Sequence, residues 1–231
     1  MDSKKAGAAK ARKAGKIRAG AEKKGSRLPY TERRAQILRE ASKLFSEHGL
    51  AAQTRMIAAA CGISQRLLYR FFPTKEDLVN EVYQEAIAGR FQARWFMELS
   101  DRRRPMRDRL QKFYMEYLDT VMDKNWLRLF LFASLADVGM APNYISSIVT
   151  KLLETIIDET ALEFGIKTDI PPAAIHEFGW TLHGAISHYA IRRHIYGASQ
   201  IMPQDKVVGM HVRAFLSGFE ATVKEFEMIA A

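Results

Sequence analysis

Turn-forming residues divide this chain into apolar stretches that follow the helical period, and this pattern constrains the fold more than any other feature. From Leu28 onward, apolar side chains recur at three- and four-residue spacing, and no segment alternates apolar and polar residues as a half-buried strand would. Glycine or proline separates the stretches, for example at Gly49, Pro73 and Gly165. The sequence therefore predicts an all-α protein of about nine helices.

The predicted helices form an N-terminal domain over residues 28–80 and a larger C-terminal domain over residues 81–231. The fourth helix is predicted to begin at Thr74, with a near capping box to Asp77, and to run unbroken to Leu99. The other eight are expected over about residues 31–49, 53–61, 65–72, 106–121, 125–136, 143–164, 173–196 and 205–228.

The positive charge of the chain is concentrated in its first 27 residues. The net charge is +9, and residues 1–27 hold ten Lys or Arg against two acidic residues, while the remainder is nearly neutral. This Ala/Lys/Gly-rich segment lacks large apolar residues and is predicted to be disordered when free. It is expected to contact DNA through Arg12, Lys13, Lys16 and Arg18, in the minor groove or along the backbone. The alternative is a solubilising tail without fixed contacts.

Several classes of protein are disfavoured by what the sequence contains. The single cysteine, Cys61, leaves no intramolecular disulfide and suits a reducing cytoplasm. No apolar stretch approaches the ~20 residues of a membrane span, and the N-terminus lacks the apolar region of a secretory signal. No catalytic triad order, phosphate-binding glycine loop or HExxH motif is present. We therefore expect a cytoplasmic protein that is not an enzyme and that carries no metal or cofactor.

A short helix, a three-residue turn and a second helix mark a candidate DNA-binding unit. The turn is Gly62-Ile63-Ser64, and a second helix entering the major groove is typical of this arrangement. Ser64 is predicted to cap that helix, and Gln65 and Arg66 in its first turn suit adenine and guanine edges. Leu68 and Phe72 fall on the opposite face and should hold the helix to the domain. Taken alone, the pattern also occurs in many all-α proteins without DNA.

Three stretches make the pattern specific: ILREASKLFSEHG, IAAACGIS and LYRFFPTKEDLV. Between Arg34 and Tyr83 they resemble, in order and spacing, the N-terminal domain of the tetracycline-repressor (TetR/AcrR) family. The resemblance implies a homodimeric, all-α transcriptional regulator, usually a repressor released from double-stranded operator DNA by a small molecule. It implies DNA contacts at Gln53, Thr54, Arg55, Ser64, Gln65, Arg66, Leu67, Tyr69, Arg70 and Lys75.

The sequence departs from the family at the start of the helix over residues 65–72, the second helix of the DNA-binding unit. Family members commonly carry a small residue and then Thr after the serine, whereas this chain has Arg66 and Leu67. An arginine adds a donor for guanine or phosphate, and a leucine can meet a thymine methyl group but cannot donate a hydrogen bond. The base preference of relatives is therefore not expected to transfer.

The C-terminal domain is expected to hold a ligand pocket and a dimer interface. The candidate pocket residues are Trp95, Phe113, Tyr117, Phe130, Trp180 and His183, although aromatic residues in such positions more often belong to the plain core. His176, Trp180 and His183 share one helix face with Ser187, as a polar corner of the pocket or as part of the dimer seam. The resemblance implies a dimer interface built by the last two long helices, with candidates Gly179, Gly184, Phe215, Gly218, Phe219 and Thr222.

One alternative remains at the level of function. A DNA-binding regulator or nucleoid-like protein without a small-molecule inducer would have the same N-terminal domain. A C-terminal domain filled by its own side chains, with no room for a ligand, would favour that alternative.

Overall fold

A computed structural model describes residues 28–136, 140–166, 171–199 and 201–230. The basic segment with Arg12, Lys13, Lys16 and Arg18 lies outside these residues. Within them the chain forms eleven α-helices and no strand, which confirms the all-α prediction. In chain order the helices are α1 (Tyr30–His48), α2 (Thr54–Ala60), α3 (Gln65–Phe71), α4 (Lys75–Ala86), α5 (Arg94–Leu99), α6 (Met106–Thr120), α7 (Lys124–Leu135), α8 (Met140–Tyr144), α9 (Thr150–Phe164), α10 (Pro172–His194) and α11 (Gln204–Ala230).

The first three helices pack around side chains that the apolar period of the sequence places on their inner faces. Ile37, Ala41 and Phe45 of α1 are fully buried, and they belong to the same hydrophobic core as Ile57 of α2 and Leu68 of α3. Burying a side chain such as Leu68 stabilises the domain by about 2 kcal/mol. The helix–turn–helix is therefore held in place by α1 rather than standing alone.

The predicted fourth helix is interrupted, so the expectation of one helix from Thr74 to Leu99 is wrong. The chain leaves the α-helix at Ile87 (φ −108°, ψ −72°), makes a 3₁₀ turn over Ala88–Arg90 and resumes as α5. A Cβ at Gly89 would lie 2.8 Å from the carbonyl oxygen of Gln84, so this break requires a glycine. Arg90 then pairs with Asp123, the residue that caps α7.

The helix expected near residues 143–164 is present but contains a π turn over Ile145–Val149, which joins α8 to α9. The hydroxyl of Thr150 donates to the carbonyl oxygen of Ile145 at 3.1 Å, across the widened turn. Single π turns of this kind often lie at functional sites. Here the turn supplies wall residues to a cavity that is described below.

A buried arginine ties together three helices of the C-terminal domain. Arg109 on α6 is 4 % exposed and donates to Glu159 at 3.1 Å and to Glu163 at 2.8 Å, both on α9. It also donates to the carbonyl oxygen of Leu99, the last residue of α5. The Arg102 guanidinium, together with Arg109, lowers the pKa of the Glu159 carboxyl. This charged cluster fixes α5 against α6 and α9.

Helix α7 joins the two groups of helices. Its Arg128 guanidinium donates to the carbonyl oxygens of Ser46 and Glu47, at 2.5 and 3.1 Å, at the C-terminal end of α1. The same guanidinium lies over the ring of Phe132. Gly49, with φ of +73°, ends α1 against that ring, where a Cβ would come within 3.4 Å. The end of α1 is thus enclosed by one face of α7.

The helices of the described residues include none that is both long enough and apolar enough to cross a bilayer.

Candidate DNA-binding surface

Helices α2 and α3 are joined by a turn whose geometry follows from its sequence. Gly62 has φ of +63°, a left-handed conformation that glycine adopts without strain. Ser64 then caps α3, because its hydroxyl accepts a hydrogen bond from the backbone N–H of Leu67 at 3.1 Å. Leu68 and Phe72 are 0 % and 2 % exposed, so the face predicted to hold α3 to the domain does so. The opposite face is left to solvent.

That outer face is rich in arginine and hydrogen-bonding groups. Gln65, Arg66, Tyr69 and Arg70 of α3 are exposed, and Leu67 is half-buried. Arg55 and Gln53, at the start of α2, are also exposed. The face combines guanidinium groups, which bind phosphate and guanine, with an amide and a phenol at the spacing of one helical turn.

Thr54 occupies a different position from its neighbours. It is 6 % exposed, so it does not lie on the outer face as the DNA-contact prediction required. Its Oγ1 accepts a hydrogen bond from the Gln65 amide at 2.8 Å and lies 3.1 Å from the Tyr69 hydroxyl oxygen. Thr54 therefore orients two side chains of α3 from behind. The contact was not visible in the sequence, because it depends on the angle between α2 and α3.

The start of α4 borders the same surface. Thr74 and Asp77 form the predicted capping box, with the Asp77 N–H donating to Thr74 Oγ1 and the Thr74 N–H donating to Asp77 Oδ2, each at 3.0 Å. Lys75, the first residue of the helix, is half-buried.

Tyr30 of α1 stacks on Phe71, at 4.6 Å between ring centroids, and covers the C-terminal end of α3.

Cys61 lies behind the turn, and its surroundings do not favour a reactive thiol. It is 4 % exposed, and burial raises the pKa of its thiol to about 11. The thiol therefore stays protonated at neutral pH, whereas a nucleophilic cysteine needs a thiolate.

The C-terminal domain contains an apolar cavity of about 180 Å³. Four of the six predicted pocket residues line it, namely Tyr117, Phe130, Trp180 and His183. The other two, Trp95 and Phe113, lie beside it in the core, where their rings pack edge-on at 5.6 Å and each contacts Tyr117. Further lining residues that the sequence reasoning missed are Met122, Trp126, Leu127, Leu131, Tyr144, Ile145, Val149, Ser187 and Ile191. For the lining residues on α7, the sequence signal that could have found them is the almost uniformly apolar character of that helix.

The polar helix face of α10 divides between cavity and surface. His183 and Ser187 line the cavity, whereas His176 accepts a hydrogen bond from the Trp180 indole N–H at 3.1 Å on a partly exposed part of the helix. His183 is 2 % exposed, and burial lowers its pKa to about 4. The imidazole is therefore neutral at pH 7.

The candidate dimer residues do not share one environment. Gly179 packs inside the protomer, since a Cβ there would lie 2.7 Å from the Cβ of Leu153, and Phe219 is fully buried. These two residues therefore face the protomer's own core rather than a second subunit. Phe215, Gly218 and Thr222 line an open groove between α10 and α11. Gly184 is half-buried on α10.

The described residues form a helix–turn–helix domain joined to a larger group of helices that holds an apolar cavity. Residues 37–82 match the model of bacterial regulatory proteins of the tetR family. Over these residues, which hold α2, α3 and parts of α1 and α4, the chain is similar to that family of regulators.

Similar proteins are found both by sequence and by fold. The HTH-type transcriptional activator FasR of Mycolicibacterium smegmatis is 40 % identical over 70 residues, which are 30 % of this chain and 32 % of that protein. The chain therefore matches about a third of the length of this curated relative. Solved structures match over most of the fold. A TetR-like transcriptional regulator from Rhodococcus sp. RHA1 has a TM-score of 0.64 at 20 % identity, covering 84 % of this chain and 99 % of that one. A TetR-family regulator from Mesorhizobium loti has a TM-score of 0.60 at 18 % identity, covering 81 % and 96 %.

Proposed function

We propose that this protein is a sequence-specific DNA-binding transcriptional regulator that acts as a homodimer and is released from its operator by a small molecule. The observation that carries the proposal is the outer face of α3. Arg66 and Arg70 stand exposed there, on a helix whose other face is anchored by Leu68 and Phe72. An arginine-bearing helix fixed by a buried inner face is suited to enter the major groove in one orientation.

The roles of the surface residues follow from their chemistry and position. Arg66, in the first turn of α3, suits bidentate contact with guanine. Gln65 suits adenine while it is held by Thr54, because its amide has a second N–H and a carbonyl oxygen beside the N–H that donates to Thr54. Arg55, Arg70 and Lys75 suit phosphate contacts on either side. In a dimer, two α3 helices would lie in successive major grooves, about 34 Å apart.

The dimer itself is proposed to form through the groove between α10 and α11. Phe215, Gly218 and Thr222 line that groove, and a Cβ at Gly218 would have no neighbouring atom within 4 Å. A groove with small residues lets a second pair of helices approach closely, as a four-helix interface requires.

Ligand control is proposed to run through α7. Trp126 and Phe130 of this helix line the cavity, and Arg128 holds the end of α1. A ligand that favours a different position of α7 would move α1, and with it the α3 that α1 anchors. Helix α4 is less suited than α7 to carry a movement between the cavity and the DNA-binding domain. The 3₁₀ turn after α4 separates α5 from that domain.

The direction of regulation depends on where the operator lies. A dimer bound over a promoter represses, and we retain repression as the proposal. The M. smegmatis relative is named an activator, so activation is the second candidate. Mapping the operator relative to the transcription start separates the two.

The proposal is tested by selecting DNA fragments with the purified protein and measuring affinity for the recovered site by fluorescence anisotropy. Arg66→Ala is expected to weaken operator binding by about 10- to 100-fold, because one good bidentate contact is worth ~1–3 kcal/mol. Arg107→Ala removes an equal charge from the exposed face of α6 and should change affinity less than twofold. Failure to recover a discrete site would favour a nucleoid-like protein.

A further inference from the structure

The apolar cavity of the C-terminal domain has a wall without a charged side chain. Its lining residues come from α6, α7, the π turn, α10 and the segments next to them, and none of them is Asp, Glu, Lys or Arg. An ionised ligand would lose its hydration in such a cavity without gaining a counter-ion. The wall therefore selects against charge.

Two polar atoms in this wall have no hydrogen-bond partner within the described part of the chain. They are Nδ1 of His183 and Oγ of Ser187, both shielded from solvent. The two residues are four apart on α10, so their side chains lie on the same helix face one turn apart. Buried polar groups in proteins are almost always paired, and an unpaired one indicates a missing partner.

Ser187 differs from comparable residues of this protein. Ser134, Thr155 and Thr160 each donate a hydrogen bond to the backbone carbonyl oxygen four residues earlier in their helices. Ser187 makes no such bond, although its helix offers the same acceptor. Its hydroxyl is therefore available to another group, and rotation about one side-chain bond changes its direction.

His183 offers a neutral group at the same place. Its ring is surrounded by those of Tyr114, Tyr117 and Trp180, with centroids 5.3 to 6.0 Å away. Burial lowers the pKa of its imidazole to about 4, so near neutral pH it can donate or accept but does not carry charge. A neutral imidazole beside a hydroxyl suits a group that both donates and accepts, such as an alcohol or an amide.

The size of the cavity limits the ligand. An apolar cavity of ~150 Å³ holds benzene, and this cavity has about 180 Å³. At the same volume per non-hydrogen atom as benzene, a molecule of about seven or eight such atoms fits.

We propose that the cavity binds a small, uncharged, mainly apolar molecule whose single polar group forms hydrogen bonds with Nδ1 of His183 and Oγ of Ser187. This inference rests on the proposed ligand control and names the chemical class of that ligand. The aromatic wall receives the apolar body, and α10 receives the polar group.

Three probes with a common ring test the proposal on the full-length protein: benzyl alcohol, benzylammonium and toluene. Benzyl alcohol and benzylammonium have the same number of non-hydrogen atoms and differ in charge. Binding is followed by isothermal titration and by fluorescence excited at 295 nm, since Trp126 and Trp180 both line the cavity. At pH 7.5 benzyl alcohol is expected to bind at least tenfold more tightly than benzylammonium. Benzylammonium binding as tightly as benzyl alcohol would overturn the proposal.

Variants of α10 test the anchor itself. Ser187→Ala and His183→Phe are each expected to lower the affinity for benzyl alcohol, relative to the affinity for toluene, by about fivefold. This is the effect of one net hydrogen bond. Thr155→Ala, which removes a hydroxyl from the exposed face of α9, should leave that ratio within twofold. Ser187→Ala is the milder change and decides the matter if His183→Phe disturbs folding. An unchanged ratio in folded Ser187→Ala overturns the anchor.

The same proteins are assayed for DNA binding without any probe. If DNA binding is intact and the probes fail to discriminate as described, the proposal for the cavity is wrong while DNA recognition stands. If the probes behave as expected and no DNA is bound, the proposed regulator function is wrong and the cavity chemistry stands.

Discussion

The guanidinium of Arg128 donates a hydrogen bond to the carbonyl oxygen of Ser46, and this contact joins the wall of the apolar cavity to the end of α1. The terminal carbonyls of a helix have no partner within the helix itself, so Arg128 supplies what the end of α1 lacks. Trp126 and Phe130, on the same helix as Arg128, stack on one another at 4.8 Å beside the cavity.

Loss of this contact is predicted to uncouple the two domains. Arg128→Met keeps much of the side-chain length but removes the donors, and it should lower the free energy of unfolding by about 1–3 kcal/mol. If benzyl alcohol is added as the probe, the change in operator affinity that it causes should be at least threefold smaller in Arg128→Met than in the unaltered protein. Urea denaturation and anisotropy measure the two effects, with Arg107→Met as the control. A full response to the probe in Arg128→Met would show that coupling takes another route.

Thr54 is predicted to control the outer face of α3 without touching DNA. Thr54→Val keeps the shape of the side chain but removes the oxygen that holds Gln65 and Tyr69. We expect weaker operator binding by about three- to tenfold, since both side chains must then be ordered on binding. Anisotropy with the selected operator measures this, and Thr155→Val on α9 is the matched control. Equal affinity for Thr54→Val and the unaltered protein would exclude the orienting role.

The basic segment is predicted to contribute salt-dependent DNA binding. Removal of residues 1–24, which include Arg12, Lys13, Lys16 and Arg18, should weaken binding and reduce the slope of log affinity against log salt. Each phosphate contact that is lost reduces the slope by about one unit. Titrations from low to moderate salt compare the two chains. Identical slopes would assign the segment to solubility rather than to DNA.

The buried imidazole of His183 is predicted to make stability depend on pH. Its pKa in the folded protein is about 4, below the ordinary value of 6.5. Between these values the unfolded chain binds a proton that the folded protein does not, so stability falls as pH decreases from 6.5 to 4. The contribution approaches about 3 kcal/mol at the acid end.

Denaturant titrations of His183→Phe across this pH range check the prediction. The variant should lose less stability on acidification than the unaltered protein does. His48→Phe removes an exposed imidazole and serves as the reference substitution. A variant with the same acid sensitivity as the unaltered protein would contradict the assignment to His183.

Local features of the fold could be predicted from the sequence, because their causes lie within a few residues. The serine cap of α3, the Thr74–Asp77 capping box and the burial of Leu68 each follow from spacing along one helix. The break at Ile87 could not be predicted, because α4 and α5 both have apolar helical periods and a single Gly89 marks the place.

Features that depend on how helices meet were missed for a common physical reason. Whether an aromatic residue lines a cavity or fills the core depends on partners distant in sequence, so Trp95 and Tyr117 could not be separated. Family resemblance and small size together predict Gly179 at a dimer interface, whereas Leu153 of α9 occupies the space beside it. The role of Thr54 likewise required the position of α3.

The shared hydroxyl oxygen of Thr54 has a consequence for how this surface can change. Gln65 and Tyr69 are joined through one oxygen atom, so substitutions of these two residues should not have additive effects on DNA recognition. A change of Gln65 alters the conditions under which Tyr69 acts, and the reverse holds too. Altered operator preference is therefore accessible through pairs of substitutions, or through one substitution in α2, more readily than through either residue of α3 alone.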